Sequence, residues 1–312
     1  MKTTSKIYIA GHTGLVGGSL LRLLRAKKYT HITTRTHAEL DLTDAAAVGS
    51  FFEKERPHYV FLCAARVGGI MDNSRRPVEF LTDNLQIQNN VIGAAYEAGV
   101  KKLLFTGSSC IYPRLARQPI KEEYFMSGPL EPTNHAYAIA KIAGIALCQS
   151  YRAEYGANFI SAMPTNIYGP GDHFDPERSH VIPAMIRKFD EAVRHGQAKI
   201  TLWGSGSARR EFLHCDDLAG ALLFLMQNYD KPEIINVGTG RDVSIRELAK
   251  KIAAVTGFSG KLVWDTSKPD GMPRKLLNVN KLQAAGWKDS VDFDEGLKET
   301  YAWYKKNVAH QV

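Results

Sequence analysis

The chain has 312 residues, of which 44% are hydrophobic and 23% are charged, and its formal net charge is +8. This composition is ordinary for a soluble globular protein that can bury a substantial core. The basic residues are dispersed among acidic ones, which favours a solvated surface or a cleft for an anionic small molecule over a nucleic-acid partner. The apolar run Ile7–Ala10 is too short for a signal peptide, and no run approaches about 20 apolar residues, so neither export nor a membrane partner is expected.

The four cysteines lie far apart, and no two of them form a Cys-x-x-Cys pair. This spacing favours reduced thiols in a cytoplasmic protein over a disulfide framework or a zinc site. We therefore expect no metal. The cysteines are Cys63, Cys110, Cys148 and Cys215.

Short apolar runs alternate with helical patterns through the first half of the chain. The predicted strands are Ile7–Ala10, Tyr59–Leu62, Lys102–Thr106 and Phe159–Met163. A further strand, second in the chain, is predicted to end with Ile32–His37. The predicted helices are Gly17–Lys28, Asp44–Arg56, Asn84–Ala98 and His135–Tyr155. The strands are almost continuously apolar, as strands are when helices cover both faces of a parallel sheet. The pattern predicts an α/β fold with a Rossmann-like, doubly wound parallel sheet.

After Pro164 the pattern changes, and residues 164–180 are predicted to form a loop that enters a second region. The later predicted elements are a helix Val181–His195, a strand Lys199–Trp203, a helix Asp216–Met226, a strand Glu233–Val237, a helix from Ser244, a strand Lys261–Trp264 and two final helices. Residues 1–170 with about 214–240 are predicted to form the larger domain. Residues about 171–213 with 241–312 are predicted to form a smaller, discontinuous domain.

A glycine-rich segment lies between the first predicted strand and the first helix. It consists of Gly11, His12, Thr13, Gly14, Leu15, Val16 and Gly17. Glycines allow a tight turn and let the backbone approach a pyrophosphate, which then meets the positive end of the helix. Such a loop can be a simple turn, but in the first βα turn of an alternating chain it predicts a dinucleotide site.

The end of the second strand bears on the choice between NAD and NADP. An acidic residue there binds the ribose 2′-hydroxyl of NAD, whereas a nearby arginine accommodates the 2′-phosphate of NADP. This chain has Arg35 and no adjacent acid, which favours NADP(H); the alternative is a plain surface arginine. Asp41 and Leu42 follow in a segment typical of the loop that lies against adenine.

Ser108 follows an apolar strand, and Tyr137 and Lys141 share one face of the next predicted helix because they are four residues apart. A protonated lysine is expected to lower the pKa of a nearby phenol, which can then protonate a carbonyl oxygen as hydride reaches the carbon. Tyr301 and Lys305 repeat the spacing but are predicted to lie on a surface helix. The first set resembles the extended short-chain dehydrogenases/reductases, which have a C-terminal substrate domain.

Motifs along nearly the whole chain narrow this resemblance to the GDP-L-fucose synthase family. They are Gly107–Pro113, Glu131–Asn134, Tyr137–Gly144, Met163–Pro170, Ser179–Pro183, Trp203–Gly206, Arg210–His214 and Lys268–Gly271. The resemblance implies NADPH-dependent 3,5-epimerisation and 4-reduction of GDP-4-keto-6-deoxy-D-mannose. It also implies a homodimer with a four-helix interface.

Cys110 and His180 are the candidates for acid–base chemistry on the sugar. A C4 ketone acidifies the protons at C3 and C5, and each inversion needs a base on one face and an acid on the other. Thiol and imidazole pKa values of about 8.5 and 6.5 suit both roles, so the residues alone leave the assignment open. The resemblance implies Cys110 as base and His180 as acid. The plainer interpretation of Cys110 is a small core residue, and that of His180 is a polar residue of a surface loop.

The resemblance also implies the binding residues. For the nucleotide-sugar they are Lys188, Trp203, Arg210 and Asp270, and Arg274 is a weaker candidate. The alternative interpretation of Trp203 is an aromatic residue of the core. For NADP(H) they include, beyond the residues given above, Thr106, Gly107, Ser108, Ser109, Lys141, Pro164, Thr165, Asn166, Ile167 and His180. The chain departs from the family pattern at Thr13 and His37, where arginines are expected, so the preference for NADP rests on Arg35.

Three other functions stay open. A nucleotide-sugar 4-epimerase or another reductase of the superfamily shares the fold and the Tyr/Lys pair, but an epimerase recycles bound NAD and needs no Cys/His pair. A 4,6-dehydratase normally carries acidic residues where this chain has Ser109 and Cys110. A non-catalytic NADP-binding sensor typically loses the tyrosine or the lysine, and this chain keeps both.

Overall fold

The structure is a computed structural model of the chain, and it describes residues 1–175, 179–268 and 270–309. Residues 176–178, in the predicted loop 164–180, lie outside the described residues. So do Pro269, in the Lys268–Gly271 motif, and residues 310–312 of the predicted second domain.

The described residues contain a six-stranded parallel sheet. Its strands are β1 (Ile7–Ala10), β2 (Ile32–Thr33), β3 (Tyr59–Leu62), β4 (Lys102–Thr106), β5 (Phe159–Pro164) and β9 (Ile235–Val237). They lie in the order β2-β1-β3-β4-β5-β9. The chain moves outward from β1 to β2 and then returns to the other side of β1, so the carboxyl ends of β1 and β3 flank a switch point where such sheets bind ligands. The predicted doubly wound sheet is confirmed.

Helices cover both faces of this sheet. They are α1 (Leu15–Ala26), α2 (Ala45–Glu55), α4 (Pro77–Glu97), α5 (His135–Tyr155) and α7 (Cys215–Asn228), and a short α3 (Ile70–Arg75) precedes α4. Successive strand residues face opposite sides, so Tyr8 packs with residues of α2, α4 and α5, whereas Ile9 packs with residues of α1 and α7. These two buried layers explain why the strands are apolar throughout.

A second region contains two smaller sheets. In the first, β8 (Arg209–His214) pairs with β6 (Asn166–Tyr168), β10 (Asp242–Ser244) and β12 (Arg274–Lys275). In the second, β7 (Lys199–Trp203) pairs with β11 (Lys261–Asp265). The helices α6 (Val181–Arg194), α8 (Ile245–Thr256) and α10 (Phe293–Asn307) pack around a third apolar cluster, and α9 (Asn280–Ala284) lies beside β9.

Differences from the predicted elements have identifiable causes. The sequence predicts a loop over 164–180, but β6 forms there because Asn166 pairs with Phe212 on a strand far along the chain. α4 begins at Pro77 rather than Asn84, since proline needs no amide bond in a first helical turn. The domain boundaries stay a prediction. Within the described ranges, no helix is long and apolar enough to cross a membrane.

Candidate active site

The first βα turn brings the start of α1 to the carboxyl end of β1. Gly11 has φ +86°, and a Cβ there would lie 2.7 Å from the backbone of Ala64, just beyond β3. A Cβ on Gly17 would collide with the carbonyl oxygen of Gly11. Both positions therefore require glycine, and they let the helix start lie directly over the switch point.

This turn fits an anionic group. Gly14 precedes α1 without a side-chain cap, and the first turn of the helix has no acidic residue. The buried Nδ1 of His12 has no hydrogen-bond partner among the described residues. Backbone amides at the start of a helix bind phosphate groups readily. The segment from Gly11 to Gly17 thus suits the pyrophosphate of a dinucleotide, while its individual contacts stay a prediction.

Arg35 lies just beyond β2 and is held by the protein. Its guanidinium donates to Glu55 Oε1 at 2.7 Å and to the Thr34 carbonyl at 2.8 Å. It also lies 5.4 Å from the centre of the Phe51 ring. This support orients the side chain beside the switch point, and the arginine fork has further donors for a phosphate.

The neighbouring residues of the predicted adenine loop form a short turn. Asp41 accepts bonds from the amide and hydroxyl of Thr43 at 2.9 and 2.8 Å, and both bonds lower the pKa of its carboxyl. Leu42 packs against the core. Thr13 and His37, which stand where the family has arginines, are both exposed.

Ser108, Tyr137 and Lys141 converge at the carboxyl end of β4. Ser108 caps a short 3-10 helix, Ser109–Ile111, and its hydroxyl accepts the amide of Cys110 at 3.3 Å. Lys141 Nζ lies 5.8 Å from the centre of the Tyr137 ring, one helical turn away on α5. The Ser108 hydroxyl also lies close enough to the Tyr137 phenol to lower its pKa. The fold therefore groups the three residues that the sequence links to reduction.

The electrostatics of this group differ from the sequence prediction. Burial raises the pKa of Tyr137 far above its usual value, nearby Cys110 raises it further, and the Ser108 hydrogen bond lowers it. Lys141 Nζ donates instead to the Thr106 carbonyl at 2.7 Å, and burial lowers the pKa of this lysine to about 8. Burial therefore outweighs the lowering of the Tyr137 pKa that is expected from Lys141, and the net pKa is raised. Tyr137 keeps its proton at neutral pH.

Cys110 and His180 come from distant segments and share a charged neighbour. Cys110 is buried, which raises the pKa of its thiol, whereas the charges of Lys275 and Lys141 lower it. His180 precedes α6 and is reached by solvent. Nearby protein groups nevertheless desolvate its ring and lower its pKa, and Lys275 lowers it further. The charge of Lys275 thus acts on both groups.

Lys275 lies at this site although none of the sequence motifs points to it. The sequence favours Arg274, but Arg274 Nε donates to Asp242 Oδ2 at 2.5 Å. Adjacent residues of a strand face opposite sides, so Lys275 is directed the other way, towards Cys110 and Arg210. The one local signal is a basic residue just after the Lys268–Gly271 motif. The pairing of β12 with β8 decides which basic residue reaches the site.

Asp270 and Trp203 are linked through the turn that follows β7. The Asp270 carboxylate accepts the hydroxyl and the amide of Ser205, both at 2.7 Å, and these bonds lower its pKa. Trp203 ends β7 with 61% of its surface exposed, so the core-aromatic interpretation is wrong. The exposed indole offers a flat face to a base or a sugar.

Two basic residues, Arg210 and Lys188, complete the predicted substrate set. Arg210 on β8 interacts with the charges of Glu131 and Asp270, and burial lowers its pKa. Lys188 on α6 is exposed, and its Nζ donates to the carbonyl of Thr201 on β7. Guanidinium and ammonium groups beside an indole suit a nucleoside diphosphate. Their contacts with a substrate stay a prediction.

The other predicted cofactor residues lie at the carboxyl ends of β4 and β5. They are Thr106, Gly107, Ser109, Pro164, Thr165, Asn166 and Ile167. Gly107 lies against the side chain of Met163, which leaves no room for a Cβ. Asn166 and Thr165 both donate to the Glu211 carbonyl, at 2.8 and 3.2 Å. These two side chains therefore join β6 to β8.

Two further groups lie outside this site. Tyr301, in the second Tyr-x-x-x-Lys pair, is on α10 and donates to a carboxylate of α6 at 2.9 Å. His214, Cys215 and Asp216 hold potential metal ligands within 4.8 Å of one another. However, Arg22 donates to Asp216 at 2.9 Å, so a cation already neutralises that cluster.

Comparison with known proteins identifies the family. A model of the NAD dependent epimerase/dehydratase family matches residues 7–238, from β1 to just beyond β9. Among curated proteins, the chain is 57% identical to a probable GDP-L-fucose synthase 1 of Oryza sativa subsp. japonica. That match covers 97% of this chain and 93% of the rice protein.

Solved structures agree with this result. The GDP-L-fucose synthetase of Naegleria fowleri bound to NADP superposes with a TM-score of 0.91 at 32% identity, covering 98% of this chain and 96% of that chain. The GDP-mannoheptose C4 reductase MlghC of Campylobacter jejuni, with NADP bound, gives 0.90 at 40% identity, covering 98% and 99%. The chain therefore belongs to the NAD dependent epimerase/dehydratase family and, within it, to the GDP-L-fucose synthases.

Proposed function

We propose that this chain is an NADPH-dependent enzyme that converts GDP-4-keto-6-deoxy-D-mannose to GDP-L-fucose. The observation that carries the proposal is the grouping of Ser108, Tyr137, Lys141 and Cys110 beyond the carboxyl end of β4. The charge of Lys275 acts on both Cys110 and His180. The first three residues suit reduction of a ketone. Cys110 and His180 suit inversion of the carbons beside it.

In the epimerisation, the Cys110 thiolate takes the proton from C3 or C5, and the C4 oxygen carries the resulting negative charge as an enolate. His180 then gives a proton to the opposite face of the same carbon. Burial raises the pKa of Cys110 and lowers that of His180, so the reactive forms are a strong base and a strong acid. Each inversion leaves a proton on Cys110 and removes one from His180. Before the next inversion the thiol must lose its proton to water and the imidazole must gain one, and the solvent exposure of His180 gives water access to the imidazole.

NADPH, when bound, supplies the hydride that C4 accepts. Tyr137 donates the proton to the C4 oxygen, and its raised pKa keeps that proton available at neutral pH. Ser108 orients the phenol by a hydrogen bond, and Lys141 is positively charged below about pH 8. The segment Gly11–Gly17 would hold the pyrophosphate, and Arg35 the 2′-phosphate.

The GDP part of the substrate is proposed to lie along Lys188, Trp203, Arg210 and Asp270. The exposed indole packs on the guanine or a ribose, and the two basic residues offset the charge of the diphosphate. The four cysteines are free thiols, which supports a cytoplasmic location for the protein.

We also propose that two copies pair through α4 and α5, as the family resemblance implies. These adjacent helices carry exposed apolar side chains, namely Val78, Tyr96, Ile139 and Tyr155. Ile139→Glu is expected to give a monomer in size-exclusion chromatography with light scattering. Val193→Glu, at an exposed apolar position of α6, is the matched control and should leave the mass unchanged. A dimeric Ile139→Glu variant would contradict this interface.

Product analysis by NMR tests the proposed activity. The purified protein, given GDP-4-keto-6-deoxy-D-mannose and NADPH in deuterium oxide, is expected to yield GDP-L-fucose with deuterium at C3 and C5. A parallel reaction with NADH measures the cofactor preference. The second candidate, C4 reduction alone, is favoured by the likeness to MlghC. Reduction alone would give a reduced sugar without deuterium at C3 and C5. Turnover of a UDP-sugar but not of the GDP-sugar would contradict both candidate functions.

A further inference from the structure

The charge of Arg35 is already offset within the protein. Its guanidinium donates to Glu55 Oε1 at 2.7 Å and to the Thr34 carbonyl at 2.8 Å. The two charged side chains leave only 34% and 26% of their surface exposed, so solvent screens this ion pair less than a pair on the open surface. The 2′-phosphate of NADPH would therefore meet an arginine whose charge is shared with Glu55.

A second carboxylate holds the donors that follow Arg35. Glu39 Oε2 accepts the amide of Thr36 at 2.7 Å and its hydroxyl at 2.8 Å. The amides of Glu39 and Leu40 donate to the Thr36 carbonyl at 3.1 and 3.0 Å, which closes the turn. An amide and a hydroxyl beside an arginine are a donor set that suits a phosphate. In this chain the carboxylate of Glu39 occupies that donor set.

The two positions where the family has arginines do not restore the positive charge. Thr13 is uncharged, and His37 Nδ1 lies 3.8 Å from Asp41 Oδ1. A histidine is only partly charged at neutral pH. From residue 35 to residue 41 the chain has one arginine and two acidic residues. The segment that would meet the 2′-phosphate therefore carries more carboxylates than permanent positive charges.

The sheet brings this turn to the proposed dinucleotide site. β1 and β2 are parallel neighbours, and Tyr8 lies opposite Thr33. Just beyond this pair, one strand enters the glycine turn and the other leads to Glu39. An acidic residue roughly 20 residues beyond the glycine motif binds the ribose 2′-hydroxyl of NAD in such folds, and Glu39 follows Gly17 at about that interval.

Glu39 is exposed and charged. The bonds from Thr36 lower the pKa of its carboxyl, and the charges of Arg35 and His12 lower it further, so the group is ionised at neutral pH. Both Thr36 bonds end on Oε2, and Oε1 has no hydrogen-bond partner in the part of the chain that the structure describes. A carboxylate oxygen of this kind accepts a ribose hydroxyl but repels a phosphate.

We propose that Glu39 limits the preference for NADPH, so that the protein binds both NADPH and NADH. Its carboxylate competes with the 2′-phosphate for the donors of Thr36, and it accepts the ribose 2′-hydroxyl of NADH. This inference rests on the cofactor part of the proposed function and is independent of the chemistry at the sugar. The preference for NADPH then depends on Arg35, and one charged hydrogen bond gives a preference of roughly tenfold.

Titration of intrinsic fluorescence with NADPH and with NADH tests this inference without any sugar. The wild type is expected to bind NADH within roughly tenfold of NADPH. Glu39→Gln keeps an oxygen that accepts the Thr36 bonds but removes the charge, so the ratio of the Kd for NADH to that for NADPH should rise roughly fivefold. Glu53→Gln removes the charge of an exposed glutamate of α2 and, as the matched control, should leave the ratio unchanged.

Salt separates an effect of charge from an effect on the turn. At about 1 M KCl the Debye length is about 3 Å, so the difference in NADPH affinity between Glu39→Gln and the wild type should shrink. An unchanged ratio in Glu39→Gln, with both cofactors weakened equally or not at all, would overturn the inference. So would a wild type that binds NADPH but not NADH. A protein that binds both dinucleotides as expected but does not turn over the GDP-sugar would refute the proposed function instead, and binding of neither would refute both.

Discussion

The two halves of the proposed site differ in how the chain builds them. The reduction half, Ser108, Tyr137 and Lys141, comes from β4 and the following α5, neighbouring elements of the main sheet. The epimerisation half combines Cys110 with His180 before α6 and Lys275 on β12, which belong to the second region. The proposed reduction residues therefore come from a single βα unit, whereas the proposed 3,5-epimerisation also needs His180 from the second region.

Electrostatics separate the two halves in a similar way. Burial keeps Tyr137 protonated, so the reduction half holds a proton donor in its resting form. Burial favours the neutral forms of Cys110 and His180, whereas the proposed epimerisation needs a thiolate and an imidazolium. The charge of Lys275 favours the thiolate but disfavours the imidazolium. The following changes test whether the halves act independently, from the largest expected effect to the smallest.

Tyr137→Phe should break the reduction half alone. Removing a general acid is expected to slow reduction at C4 by roughly 10²–10⁴-fold, measured as NADPH oxidation. Deuterium exchange at C3 and C5 should continue, because Cys110 and His180 remain. Tyr301→Phe, in the second Tyr-x-x-x-Lys pair, is the matched control and should leave NADPH oxidation unchanged. Normal reduction in Tyr137→Phe would refute its role.

Cys110→Ser should break the epimerisation half alone. A serine hydroxyl ionises far less readily than a thiol, so exchange at C3 and C5 should fall by about 10²-fold, followed by NMR in deuterium oxide. NADPH binding, measured by fluorescence titration, should stay as in the wild type. Cys148→Ser changes a buried thiol of α5 that faces Ser161 and serves as the control. Exchange at the wild-type rate in Cys110→Ser would exclude Cys110 as the base.

Arg35→Met should weaken NADPH relative to NADH, because only NADPH carries the 2′-phosphate. A hydrogen bond to a charged group contributes about 1.5–3 kcal/mol, so the Kd for NADPH should rise about tenfold or more while that for NADH changes little. Titration of intrinsic fluorescence measures both. Arg25→Met removes an exposed arginine of α1 and should change neither value. Equal weakening of both cofactors would assign Arg35 to structure alone.

Asp172→Asn should affect stability through the loop that leads to His180. Burial raises the pKa of Asp172 to about 7, and its Oδ2 has no hydrogen-bond partner among the described residues. A carboxyl whose pKa is raised on folding stabilises the fold fully below its unfolded pKa, and this contribution is lost as pH rises through about 7. The variant should therefore gain a few degrees in Tm at pH 8 relative to the wild type and little or nothing at pH 4. An equal change at both pH values would contradict this protonation.

The sequence by itself determined the local features of this protein. The apolar strands, the glycine turn at Gly11 and Gly17, and the face shared by Tyr137 and Lys141 follow from spacing along one strand, turn or helix. Resemblance to the family motifs added Cys110 and His180 as the candidate acid–base pair. The structure agrees with the sheet and groups the reduction residues as expected.

Tertiary structure alone decided the features that depend on pairing between distant segments. The short strand β12 carries no periodic signal, and its register against β8 turns Arg274 to Asp242 and Lys275 towards Cys110. The pKa of Tyr137 likewise depends chiefly on its burial, which the four-residue spacing to Lys141 does not predict. Burial and strand register both depend on contacts between residues that are far apart in the sequence. They are therefore decided only when the chain folds.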